Sequence, residues 1–130
     1  MATILIIEDH ETALGLCKIM LGENHQVLEA RNSDEALKML KETRLDLIIT
    51  DLLVPNSGGF FPTHDNAVEF VASLRTTNNT VKIAVYSVLC YEPKLQKKAI
   101  ALGADVCLIK MGSMEIFKQT INNLLGLDQI

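Results

Sequence analysis

The sequence predicts a doubly wound α/β fold, with five β-α units in succession around a parallel five-stranded sheet. Three observations carry this. Short uninterrupted apolar runs recur at Ile4 to Ile7, through most of Asp46 to Thr50, at Val81 to Tyr86 and at Val106 to Ile109, the pattern of strands covered on both faces. Between the runs the apolar period changes from two to about 3.6, which marks helices that each need a sheet to cover one face. Acidic residues then stand directly after the first and third runs, at Glu8-Asp9 and at Asp51.

Taken in order, the first run is followed by a helical face of Ala13, Leu14, Leu16, Cys17, Met20 and Leu21. Gln26 to Ala30 is a weaker strand interrupted by Glu29, suited to a sheet edge. A second helix carries Ala36, Leu37 and Leu40, with Asn32 placed to cap it and Glu35 at the third helical position. After the third strand, Leu52 to about Asp65 reads LLVPNSGGFFPTHD, a long connection in which Gly58, Gly59 and Pro62 discourage regular structure. Phe60 and Phe61 in it are expected either to fold back over the domain or to meet a partner. The third helix uses Val68, Phe70, Val71 and Leu74; the fourth follows Pro93 and carries Leu95, Ala99 and Leu102 to a stop at Gly103. The fifth begins after Gly112 or Ser113 and uses Ile116, Phe117, Ile121, Leu124 and Leu125.

Right-handed crossovers place helices on both faces only if the sheet reverses direction once. The flavodoxin-like strand order 2-1-3-4-5 does this most simply, with its switch point between strands one and three. Glu8, Asp9 and Asp51 then converge at the place where such folds bind ligands.

With 130 residues the chain fits a single domain spanning 1-130. It is 48% hydrophobic with a formal charge of −4, so nothing in the balance draws it to nucleic acid or an anionic membrane. No direct nucleic acid contact and no membrane insertion are expected, because no basic run and no bilayer-length apolar stretch is present. The opening MATILIIEDH lacks the form of a secretion signal, which points to the cytoplasm. Cys17, Cys90 and Cys107 are too few and too widely spaced for a metal knuckle or disulfide framework, and reduced structural thiols are expected.

Carboxylates crowded at one crevice raise each other's proton affinity unless a cation holds them ionised. Mg²⁺ suits Glu8, Asp9 and Asp51, since it takes a few carboxylates, waters and phosphate oxygens, and the backbone carbonyl of Leu53 is a candidate fourth donor. Phosphoryl transfer needs a nucleophile, charge neutralisation and donors to the phosphoryl oxygens. Asp51 can be the nucleophile, Lys110 after the fifth strand the cation, and Ser87 after the fourth a hydroxyl donor. Each residue alone has a plainer role: Glu8 and Asp9 as helix-starting caps, Asp51 as a loop carboxylate, Ser87 as a turn hydroxyl and Lys110 as a solvated charge. Their joint placement at four strand ends favours the chemical reading.

On these residues the sequence resembles a response-regulator receiver domain, of the CheY-like superfamily, over essentially its whole length. ILIIEDH resembles the first-strand motif, LDLIITDLLVP the third strand with Asp51 followed by Pro55, IAVYS the strand ending on Ser87, GAD the approach to the last strand, and LIK the lysine at Lys110. The resemblance implies a phosphoacceptor in a two-component phosphorelay, phosphorylated on Asp51 with Mg²⁺ by a sensor histidine kinase or phosphotransfer protein. It is not an enzyme on outside substrates, although it contributes to its own phosphorylation and dephosphorylation. A downstream effector protein would read the signal, and a homodimer is left open.

The sequence departs from that family in four places. The segment 56-66 looks like an insertion beside the acceptor. Cys107 takes the position of the family's switch aromatic. Met111 follows the lysine where a proline, with a cis bond, is usual, so the bond is expected either to be trans or to carry strain. Val88 replaces a small residue and is expected to narrow access to Asp51. Cys107, Met111 and the long loop favour an alternative, a receiver-like interaction module with weak or no phosphorylation control. A metal-dependent hydrolase is the remaining alternative and would need a general base, for which His10 and His64 are candidates by position.

Overall fold

A computed structural model of the chain describes residues 1–127. The elements are β1 (Thr3–Ile7), α1 (Glu11–Leu21), β2 (Gln26–Ala30), α2 (Ser33–Glu42), β3 (Leu47–Thr50), α3 (His64–Ala67), α4 (Glu69–Thr77), β4 (Lys82–Ser87), a 3₁₀ turn (Val88–Tyr91), α5 (Pro93–Ala101), β5 (Val106–Ile109) and α6 (Met114–Leu125). All strands are parallel, in the expected order β2-β1-β3-β4-β5. Gln26 to Ala30 is an edge strand, as its interrupted pattern suggested.

Strand alternation divides the interior into two layers. Leu5, Ile7, Ile48, Ile83 and Val85 pack with residues of α2, α4 and α5, such as Ala36, Leu40, Val71, Leu74 and Ala99. Ile4, Ile6, Leu47, Ile49, Ala84 and Tyr86 face the other way, onto Leu14, Cys17 and Met20 of α1 and Phe117 and Ile121 of α6. The strands read as continuous apolar runs because both faces are covered. Phe117 and Ile121 face inward in the last helix as expected, whereas Ile116, expected beside them, is 57% exposed.

The helix ends follow local chemistry. Asn32 Oδ1 accepts the Glu35 amide hydrogen bond at 2.8 Å, which starts α2 as expected. Ser113 Oγ accepts from the Ile116 amide at 3.2 Å and starts α6. The third helix begins earlier than its apolar pattern implied, because Thr63 Oγ1 accepts from the Asn66 amide at 3.3 Å and starts α3 at His64. The helix is interrupted at Val68 and continues as α4, so the five expected helices appear as six segments.

The connection before α3 is an ordered turn. Asn56 Oδ1 accepts from the amides of Gly58 at 2.9 Å and Phe60 at 3.1 Å. The Ser57 amide donates to Asp34 at 2.8 Å, which ties the turn to the first turn of α2. Phe60 and Phe61 are 75% and 56% exposed, so they do not fold back over the domain.

At the opposite end of the sheet, Arg75 joins three segments by donating to the carbonyls of Gly103 at 2.7 Å, Val81 at 2.7 Å and Asn78 at 3.3 Å. Gly103 has φ +123°, and a Cβ there would lie 2.8 Å from Arg75 Cγ. Gly103→Ala therefore combines an unfavourable backbone region with a collision, and should lower stability by about 1–3 kcal/mol. A fall in the urea unfolding midpoint at unchanged slope would show it; an unchanged midpoint would contradict it.

Candidate functional site

The register between β1 and β3 places Ile7 beside Thr50. The next residues, Glu8 and Asp51, therefore leave adjacent strands at the same level. Both backbones stay in the ladder for one more step, since the Asp51 amide donates to Ile7 O and the Glu8 amide to Ala30 O, each at 3.0 Å. Ser87 closes β4 beside them, and Lys110 follows β5 with its amide donating to Ser87 O at 3.1 Å. Four of the predicted side chains thus start from four strand ends of one sheet, and Asp9 follows Glu8.

Lys110 Nζ donates to Asp51 Oδ2 at 2.8 Å and also forms an ion pair with Glu8 Oε1. Asp51 Oδ1 accepts from the Leu52 amide at 2.7 Å, with the Leu53 amide at 3.4 Å. One carboxylate oxygen is thereby fixed by backbone and the other faces the ammonium. Glu8 Oε2 accepts from the His10 amide at 3.2 Å. Glu8 and Asp51 are only 4% and 7% exposed. Oxygen atoms of Glu8, Asp9 and Asp51 all lie within 4.8 Å of one another.

Burial acts on these charges in opposite ways. It pushes the Glu8 carboxyl above its ordinary value, with Lys110 pulling it down and Asp51 pushing it up further. Burial alone would lower Lys110, but its hydrogen bonds to Asp51 and Glu8 outweigh that and hold the ammonium above its usual range. The two shifts are compatible, since Lys110 is shared between two carboxylates while Glu8 has a like charge for a neighbour.

The capping role weighed for Glu8 and Asp9 does not describe α1, whose N-cap position is His10 and lacks a side-chain cap. Ser87 is fully buried, and its Oγ accepts from the Leu89 amide at 3.2 Å. Leu53 lies beside the acceptor through its amide. Neither candidate base belongs to the carboxylate cluster: His10 contributes its amide, and His64 opens α3 and lines a surface cleft with Tyr91, Leu95 and Lys98. Val88 opens the 3₁₀ turn directly after Ser87 and is 50% exposed. The bond before Met111 is trans, as no cis peptide occurs among the described residues, and Met111 itself adopts φ 66°.

Two features escaped the sequence reading. Tyr86 Oη accepts from the Met111 amide at 3.1 Å, and its ring meets Phe117 edge-on at 5.2 Å, so a buried tyrosine anchors the turn after Lys110. Cys90 and Cys107 stand with their sulfur atoms 2.8 Å apart. The signal for the second was present: one cysteine lies just past β4 and the other within its neighbour β5. The larger surface hollows, near Met1 and Met20 and near Leu45 and Asp46, lie away from these carboxylates.

Comparison with known proteins agrees with this geometry. The family model described as response regulator receiver domain matches residues 4–122. The chain belongs to that family. The receiver domain is 28% identical over 125 residues to Histidine kinase P4 of Formosa agariphila, covering 95% of this chain but 8% of that kinase. It is 28% identical over 123 residues to the sensor protein EvgS of Escherichia coli K12, covering 94% of this chain and 10% of EvgS. Against the polar-differentiation response regulator DivK of Brucella anthropi it is 26% identical over 126 residues, and 95% of this chain and 96% of DivK are covered. The chain thus spans about a tenth of the first two relatives and nearly all of DivK. Among solved structures, a response regulator from Thermotoga maritima superposes with TM-score 0.81 at 17% identity, covering 96% of this chain and 98% of that one. A CheY-like receiver domain protein from Methanospirillum hungatei gives TM-score 0.81 at 18% identity, with 97% and 94% covered. These likenesses confirm the fold.

The donor set fits a divalent cation that prefers oxygen. Opposite ligands of an octahedral Mg²⁺ lie about 4.2 Å apart, so a cluster within 4.8 Å needs only slight contraction. Glu8 shows what the arrangement costs without one. Its folded value is raised, so its contribution to stability is present below the unfolded value of about 4.3 and is lost as pH rises through the folded value. Lys110, raised above about 10.4, loses its contribution only in the alkaline range. In metal-free buffer Glu8→Gln should therefore unfold at higher urea than wild type at about pH 7, with the gap closing towards about pH 4. A lower midpoint for the variant at neutral pH would show that the ion pair to Lys110 outweighs burial.

Proposed function

We propose that Asp51 receives a phosphoryl group from a phosphohistidine of a sensor histidine kinase or phosphotransfer protein, and that this domain signals the event through protein contacts. The observation that supports this most is the Lys110 Nζ contact to Asp51 Oδ2 at 2.8 Å, with Oδ1 held by the Leu52 amide. The attacking oxygen is thereby selected and oriented. Oδ2 forms the new bond to phosphorus as the bond to the histidine nitrogen breaks, leaving an acyl phosphate on Asp51 and a neutral imidazole on the donor after proton uptake. Lys110 then transfers its hydrogen bond from the carboxylate to a phosphoryl oxygen. The Ser87 hydroxyl, whose oxygen already accepts from Leu89, retains its own hydrogen to donate to a second.

Glu8, Asp9, Asp51 and the carbonyl of Leu53 are the groups assigned to hold Mg²⁺. Bound there, the ion neutralises the repulsion between the carboxylates and the incoming phosphoryl group. The signal would leave through the segment after Ser87 and the β5 surface, with Tyr91 and the Phe60-Phe61 turn as exposed aromatics that an effector can read. No large ring is available at Cys107 to swing between two positions, so backbone displacement at 88-91 is the expected response. Residues 1-130 would act as one receiver unit in the cytoplasm, as a monomer or a homodimer. Among the described residues, no helix is long and apolar enough to cross a membrane.

The test is exposure to a small acyl-phosphate donor with and without Mg²⁺, followed by intact mass. Wild type should gain one phosphoryl group only with the ion, Asp51→Asn should gain none, and Lys110→Ala should react more slowly by on the order of 10². Equal incorporation in wild type and Asp51→Asn would move the acceptor elsewhere. No incorporation in wild type would favour the interaction-module reading.

A further inference from the structure

Outside the carboxylate site, the fold brings together two nucleophilic side chains that the sequence separates. Cys90 belongs to the 3₁₀ turn after β4 and Cys107 to β5; both are free thiols, with sulfur atoms 2.8 Å apart. A disulfide bond is about 2.05 Å long, so joining them requires a small closing movement. The two differ in access. Cys90 is fully buried, whereas Cys107 is partly exposed and lines a surface cleft of about 290 Å³ with Gln96, Ile109, Gly112 and Ile116. An oxidant therefore meets Cys107 first and finds Cys90 behind it.

The electrostatics favour the same order. The hydrogen bond between them holds the Cys107 thiol below its ordinary value, while that bond and burial push Cys90 up. Low-pKa, accessible thiols beside a resolving cysteine are the ones that react readily with peroxides.

We propose that Cys90 and Cys107 form an oxidation site, converted by peroxides to an intramolecular disulfide that staples the turn after β4 to β5. The Cys107 sulfur attacks one peroxide oxygen, the O–O bond breaks, and the departing hydroxide takes the thiol proton and leaves as water. The sulfenic acid so formed on Cys107 is attacked by the Cys90 sulfur, its S–O bond breaks, and the second hydroxide leaves as water with the Cys90 proton. Two thiols lose two electrons in all to one peroxide, which is reduced to two waters.

The staple acts on a segment already held at both ends. Ser87 Oγ accepts from the Leu89 amide, and the Gln96 side chain donates to the Cys90 carbonyl from α5. A covalent tie to β5 would fix the stretch that carries the response of Ser87. That consequence rests on the phosphoacceptor reading; formation of the disulfide does not.

The experiment is brief treatment of reduced full chain with hydrogen peroxide, alkylation, and tryptic mapping without reductant. Trypsin places the three cysteines in separate peptides, 1–18, 83–94 and 99–110. The expected product links 83–94 to 99–110 within one molecule and is reversed by dithiothreitol. Cys17, which burial and the nearby Glu8 charge push up to about 12, should stay out of it. Cys90→Ser and Cys107→Ser should each abolish the link, while Cys17→Ser should retain it. A wild type that yields sulfinic acid at Cys107, or only links between molecules, overturns the proposal. Amide hydrogen exchange at 88–92 should slow several-fold in the oxidised form; unchanged exchange with the disulfide formed would overturn the staple. All these readouts are taken without phosphate, so failure of Asp51 phosphorylation and failure of this site are distinguishable.

Discussion

The register of β1 against β3 sets nearly everything at the functional end of this domain. Because Ile7 is paired with Thr50, Glu8 and Asp51 leave the sheet side by side at the point where strand order reverses. Two buried carboxylates so placed are unfavourable alone. One ammonium, reaching across from the far edge strand, is shared between them. The negative charge of Glu8, Asp9 and Asp51 still exceeds what Lys110 neutralises, so the cluster remains attractive to a divalent cation. Stability and ligand binding are opposed here: the burial that raises Glu8 also provides the low-dielectric crevice in which a bound cation interacts most strongly.

The far edge of the sheet shows how the departures from the family pattern are accommodated. Without proline at Met111, the turn after Lys110 is made by a left-handed residue whose amide is held by the Tyr86 hydroxyl. Tyr86 is in turn packed on Phe117, so α6 supports the position from which the lysine side chain sets out. Where the family commonly has an aromatic ring in β5, Cys107 leaves room for Cys90 to approach it. A small residue at that position thus lets two sulfur atoms from separate elements come within 2.8 Å of each other.

The extra chain between β3 and α3 is likewise ordered by local chemistry rather than by burial. Asn56 satisfies successive amides in the turn, and Asp34 and Pro55 tie it to the start of α2. With its polar backbone satisfied internally, the turn can hold Phe60 and Phe61 outward without needing the core. The sheet order and family match are kept with this segment present, and it adds an exposed aromatic turn before α3.

Much of this was legible in the sequence because it depends on periodicity and on residues at strand ends. The four apolar runs, the edge character of Gln26–Ala30, the 2-1-3-4-5 order and the placement of Glu8, Asp51, Ser87 and Lys110 follow from the need to cover two sheet faces, a constraint written in the one-dimensional pattern. The Asn32 cap was legible for the same reason, being a matter of three residues. What the tertiary structure decided depends on side-chain direction and on pairs distant in the chain. Helical phase at the last helix turned Ile116 outward, away from the Phe117 face. The Thr63 cap moved the third helix start upstream, since a cap five residues ahead of the apolar stripe starts the helix within a turn-rich composition. The Tyr86 bond to Met111 and the approach of Cys90 to Cys107 could be fixed only when neighbouring strands were brought into register, because no local pattern encodes a contact between residues that meet solely through the sheet.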